Sequence, residues 1–313
     1  PPLTSTLAAL ALAAGAVALK HRAPRASVVR KGSPSPTVAA ARRLNRAAGL
    51  MAASTLLDSG IEHWRGSFHN KAMFTPVVVS ALTLAVSAHG TRDERPVAHR
   101  VRDPIYAAAA VTGLVGTGFH VYNVGKRPDG FSWRNLTWQN LFYGSPLGAP
   151  AAVALSGLLG YYSERLRASR SGNGAARVFG LSAGRSLAAL SAVGLVATAA
   201  EAGLLHFRGA YHDPFMYVPV TVPPIAAALL AETAATRPRR PRRLTRAWLR
   251  LTALIGLIGA GFHAFGVHRN MGGWRNWRQN VLNGPPIPAP PGFTGLALAG
   301  LAALRLIEAH ADA

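Results

Sequence analysis

Polar residues along this 313-residue chain come in short clusters, and between them run stretches of alanine, leucine, valine and glycine almost free of charge. Nine stretches, roughly 3–19, 46–62, 72–89, 104–123, 147–163, 187–205, 214–232, 248–267 and 293–309, reach the length of about 17–20 residues at which an apolar helix crosses the hydrocarbon layer. The pattern predicts an all-α polytopic membrane protein with about nine transmembrane helices. Composition agrees, because half of the residues are hydrophobic and only 15% are charged.

The polar clusters between the spans also carry information. Of the 34 Lys and Arg residues, 25 fall in the segments 20–46, 92–102, 165–185, 237–250 and the C-terminal tail, which alternate with sparsely basic connections. Basic loops stay in the cytoplasm. This split therefore predicts the inner (cytoplasmic) membrane, with the N-terminus outside and the C-terminus in the cytoplasm. The same distribution removes nucleic acid as an expected partner despite a net charge of +22, since the charge marks topology. The arginine run at 237–246 would touch anionic lipid headgroups.

Two stretches occur twice. "GIEHWRGSFHNKAMFTPV" (60–77) matches "GLLHFRGAYHDPFMYVPV" (203–220), and "GLVGTGFHVYNV" (113–124) matches "GLIGAGFHAFGV" (256–267), all with an offset of 143 residues. The halves read as copies. Residues 1–45 form a lead helix and a basic cytoplasmic segment, and 46–164 form a first four-helix repeat. A cytoplasmic linker follows at 165–186, and 187–313 form a second four-helix repeat. An even number of spans per copy makes the two repeats parallel. The outer stretches 131–146 and 274–286, rich in Trp and Arg, are expected to hold short helices in the headgroup zone.

The copies share their histidines. His63 and His206 end the first span of each repeat, and His120 and His263 lie near the outer end of the third. Ionisable side chains in a span are costly, so four at one depth are candidates for a function. Gly113 and Gly116 precede His120 by seven and four positions, as Gly256 and Gly259 precede His263, so each histidine stands above a strip without side chains on its own helix face. Such a strip serves close helix packing or accepts a flat macrocycle. In the second case His63/His120 and His206/His263 would be axial ligands to the iron of two b-type haems, with Gly116 and Gly259 against the ring. Arg65 and Arg208, two residues outward, would meet the haem propionates, with His69 and His212 in the outer turn as further partners. Asp58 and Glu201, about 7–8 Å deeper by helical rise, could bond an imidazole or carry protons.

Other chemistries are narrowed by what the chain lacks. It has no cysteine, which removes disulfides, thiolate metal sites and covalently attached haem. It has no zinc-protease motif, nucleophile elbow or phosphate loop. Zinc or copper on three histidines per repeat would need the outer turn to fold back, because His-x5-His does not share one helix face. The sequence thus points to an electron-transfer subunit with two haems. It would pass electrons between an extracytoplasmic redox protein or dehydrogenase subunit and membrane quinone, as part of a multi-subunit complex. A His/acid-lined transporter or channel, or a cofactor-free anchor for an extracytoplasmic protein, is the alternative.

Overall fold

A computed structural model describes residues 35–127, 130–169, 177–178, 180–236 and 242–309. The expected lead span at 3–19 and residues 170–176 and 179 of the linker lie outside these residues. Ten α-helices follow in order: α1 (Pro36–Arg65), α2 (Phe74–Arg92), α3 (Arg102–Gly125), α4 (Trp138–Tyr143), α5 (Gly148–Ala168), α6 (Ala183–Arg208), α7 (Val218–Ala235), α8 (Arg243–Arg269), α9 (Trp277–Asn283) and α10 (Pro291–Ala309). Six of them, α2, α3, α6, α7, α8 and α10, are long and apolar enough to cross a membrane. The protein is thus an all-α membrane protein.

α1 and α5, of 30 and 21 residues, are long enough but less apolar than these six. The expected span 46–62 starts ten residues earlier, at Pro36, and the expected span 147–163 runs on to Ala168. In both cases the extension is the charged end, which sequence reasoning assigned to a loop. Ser35 accepts the Val38 amide at 3.3 Å and Pro36 opens the first turn, so α1 has a proper N-terminal cap ahead of its arginines.

α1 packs against α2, α5 and α10, and α3 packs against α5 and α2. The corresponding neighbours recur in the second half, where α6 packs against α7 and α10, and α8 against α10 and α7. The centre is lined by small residues. On α1 they are Ala40, Ala41, Ala47, Ala48 and Ala52, spaced to keep one face apolar; on α10, Ala299, Ala302 and Ala303 answer them. Gly295 of α10 sits so close to α1 that a Cβ there would stand 2.6 Å from Met51 Cγ and 3.0 Å from the Ala47 carbonyl.

The ion pair that ties the third long helix of each half to the last is conserved in place and reversed in sign. Asp103 of α3 pairs with Arg165 of α5, whereas Arg246 of α8 pairs with Glu308 of α10. Both partners are offset by 143 residues.

Candidate functional site

The duplicated His-x-Arg-Gly-x-x-His stretch is first of all a helix terminator. After His63 the amides of Gly66, Ser67 and Phe68 bond back to Glu62, Trp64 and His63, and Ser67 and Phe68 adopt left-handed φ angles of 58° and 44°. Ala210 and Tyr211 do the same in the second copy, at 56° and 47°. Two consecutive non-glycine residues in that region are strained. Aromatic stacking helps hold them: Phe68 lies on Phe74 at 4.3 Å and Tyr211 on Tyr217 at 4.5 Å. Asn70 and Asp213 then cap the following turns, each accepting an amide at 2.9 Å. Gly66 and Gly209 leave room for a methionine, since a Cβ at either would meet Met73 Cε or Met216 Cε at 3.2 and 3.1 Å.

This turn fixes the first histidine of each copy. His63 Nδ1 bonds the Met73 carbonyl at 2.6 Å, and His206 Nδ1 the Met216 carbonyl at 2.8 Å. The second histidines are held in the same way by the loops that precede α5 and α10: His120 by the Pro146 carbonyl at 2.5 Å and His263 by the Pro286 carbonyl at 2.7 Å. A carbonyl can only accept, so in the neutral ring Nδ1 carries the proton and Nε2 keeps its lone pair. His63 and His120 lie within electrostatic reach of each other, as do His206 and His263. α1 and α3 are diagonal members of their bundle, with α2 and α5 between them, and α6 and α8 are related likewise. Each half thus carries one pair of oriented imidazoles at the end of its helices away from the basic clusters.

His69 and His212 are exposed and bond only the Gly66 and Gly209 carbonyls of their own turns, at 3.0 and 2.9 Å. Among the described residues no three His, Cys, Asp or Glu side chains converge to hold a metal ion. The three-histidine zinc or copper arrangement is therefore not formed.

The glycine strip is closed by helix packing. A methyl on Gly113 would overlap the Ala154 backbone and one on Gly256 the Thr294 side chain. At Gly116 and Gly259 a Cβ would meet the rings of Pro150 and Pro290, at 3.2 and 2.9 Å. α5 and α10 therefore occupy the side on which a macrocycle was expected, because small residues let these helices approach closely. Gly118 and Gly261 remain open, among exposed side chains such as Phe119 and Phe262.

Arg65 and Arg208 also have other occupations. Arg65 pairs with Glu62 and donates to the Leu282 carbonyl at 3.1 Å, in α9 of the opposite half. Arg208 donates to the Leu141 carbonyl at 3.1 Å, in α4 of the opposite half, and lies over the Phe142 ring. These carbonyls belong to the last turns of short helices, where a cation is favoured. The two arginines cross-link the halves at the histidine end. Deeper down, the Gly148 amide donates to Glu201, and Glu201 and Asp58 sense each other's charge, so the two acids share one neighbourhood.

Sequence reasoning missed the densest polar cluster, at the opposite end of the first bundle. Glu164 is fully buried and accepts from Arg102 Nε at 2.8 Å, Arg102 Nη2 at 3.1 Å and the His99 amide at 2.7 Å. Arg102 also donates to Asp93 at 2.9 Å and His89 Nδ1 at 3.0 Å. Arg167 binds the carbonyls of Gly90, Asp93 and Arg95 and the side chain of Asn45, which in turn donates to Tyr106 and Ser163. Burial pushes the Asp93 carboxyl up, but its bonds to Arg95 and Arg102 outweigh that and hold it well below the usual carboxylate range. The Asp93 bond in turn raises Arg95. Burial, and then the Arg102, His89 and Arg95 charges, lower His99 below its ordinary 6.5.

A signal for this cluster was present in the chain. At an offset of 143 the residues matching Asn45, Arg102, Tyr106 and Glu164 are Ala188, Thr245, Leu249 and Ile307. Charges present in one copy and replaced by mostly apolar residues in the other mark a feature that the fold does not require. No family model, curated protein or solved structure matches this chain.

Proposed function

We propose that the chain is a nine-span subunit of the cytoplasmic membrane, built from a lead helix and two parallel four-helix repeats. It binds two b-type haems near the outer face and passes electrons between an extracytoplasmic redox protein or dehydrogenase subunit and quinone in the bilayer. One observation carries this reading. All four span-end histidines have Nδ1 tied to a backbone carbonyl, which leaves Nε2 as the donor atom, and they stand in pairs on diagonal helices. Ligating histidines are oriented in this way by their outer hydrogen bond. The donor set fits b-type haem, which two neutral imidazoles hold without cysteine. The glycine strip gives no support, since α5 and α10 close it.

Within this reading, the haem supplies one-electron chemistry, and the chain supplies ligands, an apolar surround and the fixed spacing of two centres. The test is a visible spectrum of the purified protein. A Soret band that shifts on dithionite reduction is expected, with His120→Ala and His263→Ala each removing about half of it if each repeat ligates its own haem. Colourless, metal-free protein would refute the reading. The shared neighbourhood of Asp58 and Glu201 would then favour a transporter lined by these acids and histidines.

A further inference from the structure

The carboxylates are unevenly distributed over the basic end of the molecule. Where α10 lies between α1 and α8, five arginines gather: Arg43 and Arg46 of α1, Arg246 and Arg250 of α8, and Arg305 of α10. Arg43 Nη1 donates to the Leu301 carbonyl at 3.3 Å, which ties this side chain to α10. The other four arginines all lie within electrostatic reach of it. Glu308 serves Arg246 and the Arg242 amide. Among the described residues, Arg43, Arg46, Arg250 and Arg305 have no carboxylate partner, although neighbouring Arg42 has Glu94. Like charges crowded at the edge of a low-dielectric slab repel each other unless an anion sits among them.

The surface outward of the cluster indicates what kind of anion this is. From Arg250, positions four, seven and eight residues further along the same face of α8 are Leu254, Leu257 and Ile258, and all three are exposed. A cluster of exposed and half-buried arginines continued by an apolar stripe matches a headgroup with its acyl chains. Among the described residues the arrangement occurs once. At the equivalent junction of α5 and α6 the matching residues are Ser186, Ala189, Asp103, Ala107 and Tyr162, and three of these, Tyr162, Ser186 and Ala189, line an apolar groove.

We propose that Arg43, Arg46, Arg250 and Arg305, with Arg246, form a binding site for the phosphate headgroup of an acidic phospholipid in the leaflet on the basic side. Guanidinium groups bind phosphate oxygens bidentately, which exceeds the diffuse attraction of scattered surface lysines. This site is independent of the histidines and of any haem.

The test is retention of lipid by the purified full chain after exchange into vesicles of phosphatidylcholine with a minor fraction of phosphatidylglycerol, followed by native mass spectrometry. The wild type is expected to keep phosphatidylglycerol enriched over the vesicle composition. Arg43→Gln/Arg305→Gln should lower that enrichment several-fold, while Arg92→Gln/Arg100→Gln, with the same loss of charge elsewhere on the basic end, should leave it unchanged. If the Arg43/Arg305 variant does not assemble, the exposed Arg250→Gln carries the same expectation. An equal fall in both double variants, or no fall in the cluster variants, overturns the site. Displacement of the lipid by inorganic pyrophosphate overturns the lipid assignment.

Discussion

Replacing Glu164 by isoleucine, the residue at the matching position of the second half, isolates what the buried ion network contributes. Glu164 is fully buried, and its loss leaves Arg102, itself 1% exposed, with Nε and Nη2 unpaired and only Asp93 and His89 as partners. Removing one member of a buried pair costs about 3–5 kcal/mol, most of it from the charge left behind. The loose His99 amide adds about 1 kcal/mol. The companion change Arg102→Thr copies Thr245, so the double variant recreates the second half's own solution. Buried pairs are often replaced by apolar groups at little net cost. The double variant should therefore be at least about 2 kcal/mol more stable than Glu164→Ile alone. Equilibrium unfolding in mixed micelles, followed by circular dichroism, measures all three variants. If the double variant loses the sum of the two single losses, the pair is not coupled and the reasoning is wrong.

Two further outcomes follow from the same geometry. His99 Nδ1 accepts the Val101 amide at 3.2 Å, and its ring is held below the ordinary 6.5, so the unfolded ring takes up its proton first and stability falls as pH drops from about 6.5. Protection of the Val101 amide against hydrogen exchange, relative to its intrinsic rate at each pH, should fall over that range, and His99→Asn, which keeps an acceptor, should flatten the response; unchanged protection would contradict it. Gly113→Ala should reduce the amount of assembled protein, because the methyl has no room against α5, whereas Gly118→Ala, five positions further on, should leave it unchanged by size-exclusion yield.

The helical spans were legible because about twenty residues of uncharged sequence have few alternatives to a membrane helix. The short helices between spans were also legible, from tryptophan and arginine beside apolar residues, and α4 and α9 form where they were expected. What escaped was the buried ion network of the first bundle. Glu164, Arg165 and Arg167 were read as the end of a span and the start of a loop, yet α5 continues through all three. Local pattern cannot tell a charge facing water from one facing three hydrogen-bond partners on other helices. The glycines before His120 illustrate the opposite difficulty. Their spacing was visible, but whether the smooth face meets a helix or a ligand depends on where α5 lies, which the chain does not encode locally. The histidine pairs were found from repetition alone, and their fixed tautomer depends on carbonyls 10–26 residues away.

The crossed bonds of Arg65 and Arg208 have a mechanical consequence. Each half holds a short helix of the other, so the histidine end behaves as a two-point latch. Tilting one bundle against its neighbour about an axis near the basic end would stretch both bonds together, and release of one leaves the other still holding. The junction of α5 with α6 is looser than that of α1 with α10 and borders an open groove lined by Leu158, Tyr162, Ser186 and Val193. A carrier that alternates its opening between two faces would have to undo the latch in every cycle. A device that keeps two centres at constant separation benefits from leaving it closed.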